Sequence, residues 1–284
     1  MPANAFTIGV DLGGTNLRIG AYALQDGLLQ TIHLPTRLKN GREAVARDIC
    51  TAIRQLIAEY TPSLTLAGVG IGSPGPLELP AGILRQPPNL PGWNGFNLRH
   101  ELESALEMPV ALQNDANAAA LAECQLGRGK TLGVDSLCML TLGTGVGGGI
   151  VLHGKIWEGI TGMAGEVGHL NIWTEGGKPA FDARDVAELA TAGDPEATAI
   201  LHKVGRSLGI GLASLVNTLN LPLYVLGGGL ANAWDLFAPG LFDELRKRSY
   251  IYRLTSDKTH ITTAELGVDA GVLGACLLPL HPAE

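Results

Sequence analysis

The stretch Phe6-Thr-Ile-Gly-Val-Asp-Leu-Gly-Gly-Thr-Asn16, running on into Leu17-Arg-Ile-Gly-Ala-Tyr-Ala-Leu24, decides the fold. Residues 6–10 and 17–24 are apolar and β-rich, so Gly13 and Gly14 turn the chain between antiparallel strands. A Rossmann or P-loop reading would need a helix directly after the glycines, and the sequence offers another strand instead. In such a turn the backbone N–H groups can approach phosphate oxygens through Gly13 and Gly14. Thr15 and Asn16 add polar groups, and Asp11 can hold a hydrated Mg²⁺. An ordinary hairpin turn with an acidic neighbour is the alternative.

The same device returns about 130 positions later. Residues 136–142 read as a strand, Gly143-Thr-Gly-Val-Gly-Gly-Gly149 as a turn, and 150–152 as a returning strand. Thr144 and Gly145 suit the β- and γ-phosphates. One glycine string is weak evidence; two, each on a strand pair, suggest two related lobes closing on one ligand.

Between and beyond the turns, strands alternate with helices, the signature of an α/β fold. Residues 41–60 carry Val45, Ile49, Ile53, Leu56 and Ile57 at helical spacing. Residues 66–71 form a buried strand ending in the loop Gly72-Ser-Pro-Gly-Pro76, and 97–106 a short helix with Asn97 as N-cap. Residues 183–219 are helical, interrupted at Gly193-Asp-Pro195. Residues 223–226 form a strand, 236–248 a helix and 271–280 a closing helix. Gly228 and Gly229 can lie flat against an adenine or ribose; a plain strand-to-helix join is the alternative.

Residues 110–113 form a strand that delivers Asn114-Asp115 to a helix of small residues, 116–124. Asp115 thus stands where a general base belongs, at the C-terminal end of a strand. It can equally serve as a helix N-cap. Glu166-Val-Gly-His169 sets a carboxylate and an imidazole three residues apart, suited to vicinal sugar hydroxyls, unless the loop is an incidental polar one. Asn89-Leu-Pro-Gly-Trp93 offers an amide and a ring for a sugar pocket, unless Trp93 only covers core.

The bulk composition fits a soluble globular protein of the cytosol. A 46% hydrophobic and 17% charged chain of 284 residues suits one or two globular domains. A net charge of -7 without a basic block argues against nucleic acid. Cys50, Cys124, Cys138 and Cys276 show no CxxC spacing and read as reduced, buried thiols. No window is expected to hold the roughly 20 apolar residues that cross a bilayer, and the N-terminus lacks a signal peptide's pattern.

These motifs resemble the ROK family of bacterial sugar kinases, which includes many glucokinases. The likeness spans nearly the whole chain, through DLGGTN at 11–16, GIGSPGPLE at 70–78, NLPGW at 89–93, NDANAAALAE at 114–123, LGTGVGGGIV at 142–151, GEVGH at 165–169, DVAELATAGDPEA at 185–197 and LGGGL at 226–230. It implies a two-lobed, actin-like (ribonuclease H-like) ATPase fold with ATP, Mg²⁺ and sugar in a central cleft. Residues 1–117 would form the smaller lobe and 118–270 the larger, with a last helix at 271–284 packing back onto the first. It further implies that Asp115 is the base, that Ser73, Asn89, Asn114, Glu166 and His169 meet the sugar, and that the enzyme is a homodimer. Fructose, N-acetylmannosamine or a cyclitol are alternatives to glucose. A sugar-binding regulator is the rival reading, although family regulators carry an N-terminal helix-turn-helix for which residues 1–5 leave no room.

One departure stands out. Family members usually carry CxCGxxGCxE about ten residues after GEVGH, and this chain has no cysteine between Cys138 and Cys276. His169 alone cannot make a structural zinc site, which needs four ligands. The segment is naturally absent, removed, or carried by the molecule but missing from the sequence at hand. The abrupt join at Lys178-Pro179-Ala180 favours the last two. True loss of the segment is expected to weaken the sugar site around His169.

Overall fold

In the computed structural model, residues 2, 4–143, 145–169 and 183–281 are described. The first hairpin joins β1 (Ala5–Leu12) to β2 (Asn16–Ala23), and β3 (Gly27–Pro35) extends it. Then come α1 (Arg42–Tyr60), β4 (Thr65–Ser73), the small hairpin β5 (Leu77–Glu78) and β6 (Ile83–Leu84), and α2 (Leu98–Leu106), which Asn97 caps by accepting from His100 N–H. β7 (Val110–Asn114) runs straight into α3 (Asp115–Gln125), and α4 (Arg128–Leu132) follows. The second half comprises β8 (Leu137–Leu142), β9 (Val146–Leu152), β10 (Lys155–Ile156), α5 (Ala183–Thr191), α6 (Pro195–Leu219), β11 (Leu223–Gly227), α7 (Trp234–Arg248), α8 (Tyr250–Thr255), β12 (His260–Thr263) and α9 (Ala270–Leu277).

These strands make two five-stranded sheets, β3-β2-β1-β4-β7 and β10-β9-β8-β11-β12. In each, an antiparallel hairpin flanks three parallel strands, so the repeat seen in the glycine turns extends to whole-sheet topology. Phe6, Ile8, Val10 and Ile19 fill the first core with Ile49, Ile53 and Leu56 of α1. Tyr224, Leu226, Phe237 and Leu241 fill the second with Leu201, Leu212 and Val216 of α6.

α3 and α9 are shared. α9 lies on the first sheet, with the Cys276 thiol beneath the Gly20 carbonyl of β2. α3 packs against α9 on one side and, through Ala119 and Ala120, against Met139 and Val151 of the second sheet on the other. A division between residues 117 and 118 therefore falls inside one continuous helix. Glu123, fully buried, ties this helix down by accepting from the N–H groups of Arg128, Glu265 and Leu266.

Three sequence expectations are corrected. β9 begins at Val146, so Gly147, Gly148 and Gly149 are strand residues and do not belong to the turn. Close packing is the reason for the glycines: a Cβ at Gly149 would lie 2.7 Å from the Ala116 carbonyl oxygen of α3. Second, α6 is by length and composition long and apolar enough to cross a membrane, although no such window was expected. Its apolar residues are used in the second core, where Gly205 and Gly209 let α7 approach the backbone. Third, α7 starts at Trp234, two residues earlier than its apolar pattern indicates, because the short 3-10 turn Gly229–Ala233 feeds into it.

The four cysteines are free and buried. Burial pushes the thiols of Cys138 and Cys276 up to about 12 and that of Cys124 up to about 11. The native protein is therefore expected to react with a thiol reagent such as DTNB at least about tenfold more slowly than the denatured chain. Rapid labelling of the folded form would contradict this burial.

Candidate active site

The parallel strands of the first sheet end together. Pairing sets Asp11 of β1 beside Gly72 of β4, and Ser73 of β4 beside Asn114 of β7. Three chain segments far apart in sequence thus place Asp11, Ser73 and Asn114 in a row along one sheet end, where α/β folds bind ligands. Asp115 follows as the first residue of α3.

Asn114 is the N-cap of α3. Its Oδ1 accepts from Ala116 N–H at 2.9 Å and Asn117 N–H at 3.3 Å, so the cap does not depend on Asp115. The other end of the amide, Nδ2, points to the loop after β4: a Cβ at Gly75 would lie 2.9 Å from Asn114 Nδ2 and 3.8 Å from Glu166 Oε1. Gly75 thus leaves room where the amide and the Glu166 carboxylate converge.

Asp115 is partly buried, and its Oδ1 accepts from Ala116 N–H at 2.8 Å. Desolvation raises its carboxyl to about 6; the Ala116 bond opposes this, and the charges of Asp11 and Glu166 add to it. A carboxylate tuned near neutrality can accept a proton and still be ionised at physiological pH. Asp11 is also raised, first by burial, with Arg18 pulling the other way from 3.5 Å. Its carboxylate lies against the first turn of α9, where a Cβ at Gly271 would be 2.7 Å from Asp11 Oδ2.

The glycine turns border this site. Gly13 N–H donates to the Asn16 carbonyl and Thr36 Oγ to the Gly13 carbonyl, which stiffens the first turn and leaves Thr15 and Asn16 exposed. Asn89 is exposed with its carbonyl against Gly14, so its loop is seated on that turn. Among the described residues, none comes within side-chain range of Gly143, Gly145 or Gly229, so these backbone edges are open. Gly228, at φ 84°, packs its Cα against Leu142, bringing the β11 glycines beside the second turn. Thr144 lies outside the described residues.

Ser73 is fully buried, its hydroxyl donating to the Pro74 carbonyl at 3.3 Å, so in this conformation it offers the cleft no donor. Trp93 is a core residue: it is 1% exposed and meets Phe96 edge-on at 5.3 Å. Glu166 is exposed, on a loop anchored by Val167, whose side chain sits against Gly148 of β9. His169 ends the 3-10 turn Val167–His169, and its side chain, like the whole of the Lys178-Pro179-Ala180 join, lies outside the described part.

Two residues that support the site escaped the sequence reading. Arg18 lies 3.5 Å from Asp11 and partly opposes the effect of its burial, and its signal was the alternation of β2 opposite β1. Gln113, 3% exposed, accepts from Asn114 N–H at 2.8 Å and from Asn117 Nδ2 at 3.1 Å. Its signal was a polar residue ending an otherwise apolar strand.

Like sheets on either side, glycine turns opening on one cleft and a carboxylate near neutrality on its floor define a two-lobed phosphotransferase of the actin-like ATPase fold. The ROK family profile matches residues 7–180 and 172–281, and the chain belongs to the ROK family. The two matches meet in 172–180, where the cysteine motif is missing. The chain is 32% identical to a glucokinase of Halalkalibacterium halodurans, covering 94% of this chain and 92% of the relative. That alignment runs over 312 positions against 284 residues here, so the relative carries residues this chain lacks. Among solved structures, a ROK hexokinase from Thermus thermophilus is 34% identical with a TM-score of 0.80, covering 96% of this chain and 97% of that one. A ROK family glucokinase from Streptomyces griseus, in complex with glucose and AMPPNP, is 27% identical with a TM-score of 0.75, covering 96% and 98%.

Proposed function

We propose that this chain transfers the γ-phosphoryl group of ATP to the 6-hydroxyl of glucose or a closely related hexose. The observation that carries the reading is Asp115, tuned to about 6 between Asp11 and Glu166 at the end of β7. In the reaction the hydroxyl oxygen forms the new bond to the γ-phosphorus, the bond to the β-phosphate oxygen breaks, and the hydroxyl proton goes to Asp115. ADP and the sugar phosphate leave.

Asn89, the free end of the Asn114 amide, Glu166 and His169 hold the sugar. Ser73 shapes the floor from beneath. Gly13, Gly14, Thr15 and Asn16 on one side and Thr144 and Gly145 on the other surround the phosphates, with Gly228 and Gly229 against the nucleoside. The lobes divide near residues 117 and 118, with α3 as the helix they share, and closure around the sugar excludes water. A cytoplasmic homodimer completes the reading, on the family likeness alone.

Mg²⁺ suits this donor set. Asp11 supplies a hard oxygen donor whose charge a dication would offset, and Arg18 beside it favours contact through water. When bound, the ion neutralises charge on the phosphate oxygens. Zinc's usual thiolate ligands are not supplied there, since all four cysteines are buried elsewhere.

A panel of glucose, fructose, mannose, N-acetylmannosamine and an inositol, read by coupled ADP release, tests the proposal. Glucose should give the highest kcat/KM. Glucose binding without ADP release would instead support a regulatory remnant, and ADP release only with another sugar would reassign the substrate.

A further inference from the structure

Resting on the sugar-kinase reading, we infer that Gln113 and Glu158 are a positioning pair that locks the loop carrying Glu166 to the strand that leads into Asp115. Gln113 Nε2 donates to Glu158 Oε1 at 2.8 Å. The two residues belong to different sheets' neighbourhoods: Gln113 is in β7 of the first, and Glu158 follows β10 of the second. This side-chain bond therefore joins one lobe to the other.

Both ends of the bond lead to the reacting groups. On the strand side the Gln113 carboxamide oxygen accepts from Asn114 N–H and from Asn117 Nδ2, so its position sets that of the Asn114-Asp115 step. On the loop side the Glu158 carbonyl accepts from Ala164 N–H at 3.1 Å, closing a loop whose exit leads through Gly165 to Glu166. Asn117 faces the same loop. Its Oδ1 is buried with no hydrogen-bond partner among the described residues, and a Cβ at Gly165 would lie 3.5 Å from it.

The alternatives to positioning are weak. Gln113 is 3% exposed and oriented by three hydrogen bonds, so the amide is not an incidental surface group. Its contacts are with backbone and side chains that hold Asp115, not with the cleft itself. Small displacements of a base by about 1 Å cost up to about 10²-fold in rate.

The test is an exchange of partners. Gln113→Glu sets carboxylate against carboxylate across 2.8 Å. Adding Glu158→Gln restores every bond, since the new carboxylate still accepts from Asn114 and Asn117 and now also accepts from the new amide. At about pH 8, where Asp115 is ionised in each variant, Gln113→Glu should lower kcat by about tenfold or more, and the double variant should recover to within about threefold of wild type. Hydrogen exchange of residues 159–166, read by mass spectrometry whether or not the chain turns over a sugar, should quicken in the single variant and recover in the double. An unchanged kcat in Gln113→Glu overturns the inference, even if exchange changes. So does a double variant no better than the single one while both melt like wild type. Absence of sugar-dependent turnover in wild type sinks the kinase reading alone; the exchange measurement then decides the pair, and unchanged exchange in Gln113→Glu overturns it.

Discussion

Asp115→Asn is expected to lower kcat by about 10²–10⁴-fold while leaving glucose affinity within about threefold, because the amide keeps the shape but cannot take the hydroxyl proton. Retention of most activity in a coupled ADP assay would remove Asp115 from the mechanism. The wild-type pH profile should carry the same signature: with the carboxyl at about 6, kcat/KM falls on the acid side below about pH 6, as the base is protonated.

The same substitution should stabilise the protein. Below about pH 4 the carboxyl is protonated whether the chain is folded or not, and it imposes no penalty. Between about pH 4 and 6 the folded chain keeps a proton that the unfolded chain releases, so stability falls as pH rises. Above about pH 6 the full cost of holding the charge in the cleft is present. Asp115→Asn removes that cost, so thermal or denaturant unfolding at about pH 7.5 should show a gain of about 2–3 kcal/mol that closes toward pH 4. A gain that persists unchanged at pH 4 would assign the effect to something other than the carboxylate's charge.

The second large effect is expected at Gly274. It lies in α9 where that helix crosses α3, and a Cβ there would be 1.9 Å from the Ala118 carbonyl oxygen. Gly274→Val must push the two helices apart, and overpacking on this scale should cost about 3 kcal/mol or more. For a chain of this size that lowers the melting temperature by at least about 6 °C. Since α3 begins at Asp115, kcat should fall as well, with the folded fraction accounted for. Unchanged melting would mean that α9 is not seated on α3 as described.

Local chemistry made much of this readable in advance. The 11–16 turn, the amphipathic α1, the Asn97 cap and the break before Pro195 each rest on interactions within a few residues of themselves, and all are present. β3 and β12 were not legible. Both are edge strands with half-exposed residues, and what makes them strands is pairing, β3 with β2 and β12 with β11. The shortened second turn was misread because glycines serve close packing as readily as ligand approach, and only the position of α3 distinguishes the two. Trp93 was ambiguous for a similar reason: its identity suits a sugar platform and a core equally, and burial decides for the core.

The sequence by itself determined the first glycine turn, the Asn114-Asp115 step after a strand, and the absence of cysteines between Cys138 and Cys276, since each is a statement about neighbouring residues. Tertiary structure alone decided that Asn114, not Asp115, caps the helix, that Asp11 is paired with Arg18 and seated against α9, and that Gln113 reaches Glu158. It also decided the tuning of Asp115. That tuning depends on desolvation and on charges at positions 11 and 166, groups that only folding brings within electrostatic range of one another.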